Sequence, residues 1–234
     1  MTFKKHNILL ALLSLAMFCS CAKDMDHMAW PADSGKDDTP IVFLRDTNYV
    51  AWTSLGGLEE RFKACEIPAE VLNAKTTWAL GLSILHYPLN GIIYSYNYFD
   101  LSVKTIYDRS PLHQALAVRK DAAEVLIDIF DKTSIDPDII VSKDYQAISI
   151  FDEVFLEFFL GTKLVRGLDS SANRKKLSAI VSRKMKERSW DGSSINVSLI
   201  ALAYMNERLG LGLKFDDDVV NIMHQFTLGD GIYN

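Results

Sequence analysis

Residues 148–159 read ISIFDEVFLEFF and place four phenylalanines within nine positions. The large apolar side chains recur every three or four residues, which predicts a helix with a wide buried face. That face comprises Ile148, Phe151, Val154, Phe155, Phe158 and Phe159. We expect Ser142 to open this helix. Glu153 and Glu157 lie one turn apart on another face, which predicts a solvent-exposed acidic pair.

Helical periodicity extends outward from this segment over most of the chain, starting at Thr53. Capping residues and prolines divide it into further helices. The expected starts are Ser54, Thr76 or Thr77, Asn90 (a helix through Tyr107), Ser110-Pro111 and Asp121, and the last three helices cover roughly 172–188, 194–209 and 215–226. No alternating apolar pattern indicates a sheet. The sequence therefore predicts an all-α domain of about eight helices, packed as antiparallel pairs in a helical globule or a short α-solenoid.

The N-terminus has the features of a bacterial lipoprotein signal. Lys4 and Lys5 precede an apolar run over 8–18, which is too short to span a bilayer comfortably, and Ser20 stands before Cys21. We expect residues 1–20 to be the signal peptide, 21–40 a flexible tether that is lipidated at Cys21, and 41–234 the helical domain. The alternative is an ordinary secretory signal that is cut near Ser20.

The residues after Cys21 indicate a location. Ala22, Lys23, Asp24 and Asp26 resemble the surface-export signal of Bacteroidetes lipoproteins, which implies an outer-membrane lipoprotein on the periplasmic or cell-surface side. An acylated cysteine, carrying palmitate or a similar chain, would attach the protein to that membrane.

Composition restricts the class of protein. Removal of the first 20 of the 234 residues leaves 214, and the loss of two lysines changes the net charge from −5 to −7. This acidity argues against a nucleic-acid partner. Cys65 is then the single remaining thiol outside the lipidation position, and its apolar surroundings predict a buried, unreactive cysteine.

Three short motifs carry a resemblance to a known family. Leu85-His86-Tyr87-Pro88-Leu89, Tyr96-Asn97 and Arg119-Lys120-Asp121-Ala122 resemble a family of uncharacterised exported Bacteroidetes proteins, over roughly residues 53–131. The resemblance implies an exported helical protein and brings no established activity. Ser110-Pro111-Leu112-His113 also resembles the opening of an ankyrin repeat, but a lone repeat cannot bury its apolar face.

An aromatic segment is the first candidate binding site. Tyr96, Phe99 and Val103 follow the spacing of an inward helical face, whereas Tyr94 and Tyr98 are offset from it. We expect Tyr94, Tyr98 and the intervening Asn97 to reach the surface and to bind a sugar or a peptide. The alternative is that the whole cluster packs in the core.

A basic helix is the second candidate. This helix would present a positive face on an acidic domain, suited to anionic lipid phosphates or an acidic partner. The face comprises Arg174, Lys175, Arg183 and Lys186, together with Lys176, Lys184 and Arg188. The alternative is an ordinary solvated face.

No catalytic motif is recognisable. His86, His113 and His224 lack metal-ligand spacing, and Asp216, Asp217 and Asp218 are typical of the first turn of a helix. We expect no metal and no cofactor. The sequence favours a non-enzymatic lipoprotein that binds an unknown protein or glycan. The alternative is a cell-envelope hydrolase whose site combines residues distant in sequence.

Overall fold

The computed structural model describes residues 35–135, 147–188 and 197–228. A compact unit begins at Lys36. Cys21, the tether up to residue 34, Ser142 and Ser194 lie outside the described residues, so the expectations for the lipid anchor, the tether and the helix start at Ser194 remain predictions.

Within these ranges the chain forms twelve α-helices and one short 3₁₀ helix, which confirms the all-α prediction. The α-helices are α1 Leu44–Thr47, α2 Tyr49–Thr53, α3 Leu58–Ala64, α4 Ala69–Ala74, α5 Thr77–Leu85, α6 Phe99–Arg109, α7 Pro111–Ala117, α8 Ala122–Lys132, α9 Ile150–Gly161, α10 Ser171–Glu187, α11 Val197–Leu209 and α12 Asp217–Gln225. The expected number of about eight is wrong, because the described chain before Thr76, residues 35–75, forms four helices of at most seven residues.

The described residues also include two strands that the periodicity did not indicate. β1 Ser134–Ile135 pairs in parallel with β2 Ala147–Ile148, with Ser134 opposite Ala147 and Ile135 opposite Ile148. Each strand has two residues, a length at which side-chain alternation leaves no readable pattern. This pair brings the end of α8 close to the start of α9.

Helix α9 is the centre of the core. Every residue from Asp152 to Gly161 is buried, because α5, α6, α8 and α11 and the 3₁₀ helix all pack against it. Ser149 caps it, since the Ser149 hydroxyl accepts a hydrogen bond from the backbone N–H of Asp152. The expected start at Ser142 is therefore wrong for this helix. Gly161 permits the close contact with α11: a Cβ there would lie 2.6 Å from the Tyr204 ring.

The expected helix from Asn90 to Tyr107 is interrupted. A 3₁₀ helix covers Asn90–Tyr94, and α6 begins only at Phe99. Asn90 is buried, and its amide donates to the carbonyl of Ile84 at 2.9 Å, near the end of α5. Its side chain thus adds a hydrogen bond to the last turn of α5, instead of capping a new helix.

Candidate functional site

Aromatic rings reach the surface at one place next to α9. Tyr94 is 39% exposed, Phe151 is 38% exposed and the adjoining Ile150 is 40% exposed. The rings of Tyr94 and Phe151 meet edge to face, with centroids 5.3 Å apart at 88°. We call these three residues the aromatic patch.

Further rings support the patch from below. Phe99 lies 6.0 Å from Tyr94 and 5.1 Å from the buried ring of Phe158, centroid to centroid. The chain after α12 is fixed beside it, because the Asp100 carboxylate accepts a hydrogen bond from the backbone N–H of Leu228 at 2.9 Å. The patch is consequently a surface on a packed scaffold, with its side chains preorganised.

The predicted site residues divide between surface and support. Tyr94 and Asn97 are exposed, whereas Tyr98 is half-buried at the N-cap position of α6. The expected inward face was wrong for Tyr96, which is half-buried in the bend before α6. The spacing of three residues from Tyr96 to Phe99 places both side chains on one face only if a single helix contains both residues. No helix does, because the 3₁₀ helix ends at Tyr94 and α6 begins at Phe99. Sequence reasoning missed Phe151 as a surface residue, because it shares a stripe with core phenylalanines.

A cluster of charges lies inside the domain, between α9, α10 and α11. Glu153, Glu157 and Lys184 are at most 1% exposed. Lys184 Nζ donates to Glu153 Oε1 at 2.7 Å, and Arg188 Nη2 donates to the same oxygen at 2.7 Å. Arg188 Nη1 bonds Glu157 Oε1, and the Ser198 hydroxyl donates to Glu157 Oε2 at 2.7 Å. We call this arrangement the buried ion cluster. It contains two carboxylates and two cations.

Burial dominates the electrostatics of the cluster. It raises the pKa of Glu157 to about 7, and the negative charge of Glu153 adds to the rise, while Arg188 opposes it. The two carboxylates hold the pKa of Arg188 above its ordinary value, against the effect of burial. Glu153 Oε2 has no hydrogen-bond partner among the described residues. Burial, with a smaller contribution from the charge of Glu157, raises the pKa of Tyr94 to about 12.

The expected exposure of Glu153 and Glu157 is wrong, as is the inclusion of Lys184 and Arg188 in a solvated basic face. Helix α9 is buried on all sides from Asp152 onward, so its polar face also needs partners. A sequence signal existed: the two acids are four residues apart on one helix, and two cations, Lys184 and Arg188, have the same spacing on another.

The rest of α10 keeps part of its predicted basic face. Arg174, Lys175, Arg183 and Lys186 are all exposed. Arg183 is paired, with Nη2 at 2.6 Å from Asp131 Oδ1 and Nη1 at 3.6 Å from Glu187. Arg174 and Lys175 make no ion pair with any described residue. The unneutralised positive charge is therefore strongest near the start of the helix.

A second polar group is buried around His113. Ser110 Oγ lies 2.8 Å from His113 Nδ1, and the Tyr87 hydroxyl interacts with Ser110 and with the buried Cys65 thiol. Burial lowers the pKa of His113 to about 3 and raises the pKa of Cys65 to about 12. A serine and a histidine at this distance resemble part of a hydrolytic site. Both are fully buried, so the pair stabilises the core and has no access to substrate. The prediction of a buried Cys65 is confirmed.

Metal and membrane features were assessed over the described ranges only. No group of three His, Cys, Asp or Glu side chains there has the geometry to hold a metal ion. None of the helices in those ranges has both the length and the apolar character needed to cross a bilayer. Comparisons with models of protein families, with curated proteins and with solved structures find no match to this chain.

Proposed function

We propose that this protein is an outer-membrane lipoprotein, anchored through Cys21 and a tether over 21–40, whose helical domain binds a protein or glycan partner. The signal features at 1–20 and the resemblance to exported Bacteroidetes proteins support the anchor. The observation that carries the binding function is the exposed, edge-to-face pair Tyr94 and Phe151. The finer architecture, a tethered helical globule built from antiparallel helix pairs, belongs to the same proposal.

The physical argument for binding is the cost of this exposure. Two aromatic rings and Ile150 remain partly in water although a large apolar core lies directly beneath them. Rings of this kind bury much area on binding and lose little side-chain entropy when their neighbours already hold them in place. Exposed Asn97 adds amide donors and acceptors near the same segment. Such a surface suits a sugar face or an apolar peptide side chain.

The hydrolase alternative rests on one observation, the carboxyl of Glu157. Its pKa of about 7 is that of a general acid or base near neutrality, and it accepts a hydrogen bond from a serine hydroxyl. Glu157 and Ser198 are fully buried, however, and neither residue lines the groove beside α10 or the groove beside α3. Binding at the aromatic patch is the function that the geometry favours.

A photocrosslinking experiment tests the binding proposal. A photoreactive phenylalanine analogue at position 151 should form a defined adduct in intact cells or with a glycan panel. Tyr94→Ala in the same chain should abolish that adduct. The matched control places the analogue at Tyr49, which is 63% exposed and lies on α2. Identical adducts from both positions, or an adduct at 151 that survives Tyr94→Ala, would refute specific binding at the patch.

The anchor has its own test. Cys21→Ala should move the protein from the membrane fraction to the soluble fraction and abolish palmitate labelling, because the thiol is the acylation point. Palmitate labelling that persists in this variant would show that the anchor lies elsewhere.

A further inference from the structure

A polar groove of about 660 Å³ runs along one side of α10. One wall is the helix face formed by Ser171, Arg174, Lys175, Ser178 and Ser182, and the other is the turn that follows α11 at Gly210–Leu213. The groove and the aromatic patch share no residue. Its volume is that of a small-ligand site.

The helical wall is a continuous face by its spacing. Positions 171, 174, 175, 178 and 182 follow one another at steps of one to four residues, so three hydroxyls and two cations point to the same side. No carboxylate lines the groove. The polar groups of this helix face are therefore of two kinds. The two cations donate hydrogen bonds and carry positive charge, and the three hydroxyls donate or accept.

The opposite wall is held in place by the backbone. The Ser178 hydroxyl donates to the carbonyl of Leu211 at 3.2 Å, which fixes the turn against α10. Gly210 has a φ of +61° and Gly212 a φ of +75°, so the turn uses the left-handed conformation that glycine adopts without strain. A Cβ at Gly210 would lie 3.9 Å from Nη1 of Arg174, which places the guanidinium next to the turn.

The charge in the groove is not neutralised by the protein. Arg174 and Lys175 are exposed and have no ionic partner among the described residues, in contrast to Arg183 on the same helix. Both lie in the first turns of a 17-residue helix, where the helix dipole adds positive potential. In an acidic protein, this is a local positive field with hydroxyl donors beside it.

We propose that this groove binds a phosphate-bearing ligand. The Arg174 guanidinium donates two parallel hydrogen bonds to phosphate oxygens, Lys175 supplies a second charge, and the hydroxyl of Ser171, three residues before Arg174, donates from the same helix face. A phosphate fits better than a carboxylate because its oxygens accept from several directions at once. The source is either a soluble phosphate monoester or the phosphate of a lipid headgroup. The site does not depend on the aromatic patch or on a partner bound there.

Titration calorimetry of the purified full chain with glycerol 3-phosphate and inorganic phosphate tests the soluble source. Flotation of the Cys21→Ala chain with phosphatidylglycerol vesicles, against phosphatidylcholine vesicles, tests the headgroup. The R174A/K175A variant should weaken binding of the successful probe at least tenfold. The matched control, K120A/R166A, removes two exposed cations outside the groove and should change binding less than twofold.

The variant R174K adds a specific readout, because it keeps the charge but loses the planar fork; we expect a several-fold loss. Binding of glycerol 3-phosphate alone identifies a soluble ligand, and selective flotation alone identifies a headgroup. The proposal is overturned if none of the three probes binds, or if the control double variant weakens binding as much as the groove variant. Circular dichroism of each variant verifies that the helical fold is retained.

Discussion

Replacement of Lys184 by methionine tests how the buried ion cluster stabilises the domain. Lys184 Nζ donates to Glu153 Oε1 at 2.7 Å and to the carbonyl of Thr133 at 2.6 Å, and both bonds are buried. Its ammonium also lies 4.7 Å from the centroid of the Phe130 ring. Methionine fills a similar volume without the charge, so the substitution leaves two carboxylates with one cation.

The expected loss follows from these contacts. A hydrogen bond to a charged group contributes about 1.5–3 kcal/mol, and removal of one partner from a buried ion pair costs about 3–5 kcal/mol. We therefore expect K184M to lower the free energy of unfolding by about 4 kcal/mol at pH 8. The double variant E153L/K184M restores charge balance, because Arg188 and Glu157 remain paired. It should cost about 1–2 kcal/mol, less than K184M alone.

Urea unfolding monitored by circular dichroism at 222 nm measures both values and that of the single variant E153L, which completes the double-mutant cycle. The result that supports the cluster is a favourable coupling of about 2 kcal/mol or more between the substitutions at 153 and 184. A K184M variant within about 0.5 kcal/mol of the wild type would refute the reasoning. Additive losses in the double variant would show that packing, and not charge balance, determines the cost.

Three further predictions concern two buried titratable groups and one buried glycine. Because the pKa of Glu157 is raised from 4.5 to about 7, the native state binds more protons than the unfolded state between these pH values. The free energy of unfolding should therefore fall as pH rises from about 4.5 to 7, and E157Q should remove this fall. The pKa of His113 is lowered from 6.5 to about 3, so the free energy of unfolding should fall as pH falls below 6.5, and H113Q should remove that loss. Urea titrations at several pH values separate the two opposing pH dependences. Unchanged pH dependences in E157Q and H113Q would contradict the assignment. Gly161→Ala should lower the free energy of unfolding by about 1–3 kcal/mol, measured by thermal or urea unfolding, because the new Cβ would lie 2.6 Å from the Tyr204 ring. The control Gly91→Ala should cost less, since no atom lies within 4 Å of its new Cβ. Equal costs would contradict the close packing of α9 and α11.

The sequence by itself determined the helical class and several helix ends. Thr76 and Ser110 cap α5 and α7 through their hydroxyls, as their positions predicted, and Pro111 occupies the first turn of α7. These are local effects, because a capping hydroxyl needs only the backbone two or three residues away. The long helix α10 was also predictable from its periodicity, to within a residue or so at each end.

Only the tertiary structure decided which polar residues are inside. Periodicity shows which side chains share a face of a helix, but it does not show whether another helix packs against that face. Glu153 and Glu157 have the same spacing as a solvated pair and are buried because α10 and α11 bring Lys184, Arg188 and Ser198 to them. The same physics exposes Phe151. It continues a core stripe, yet no described element covers the end of α9 where it lies.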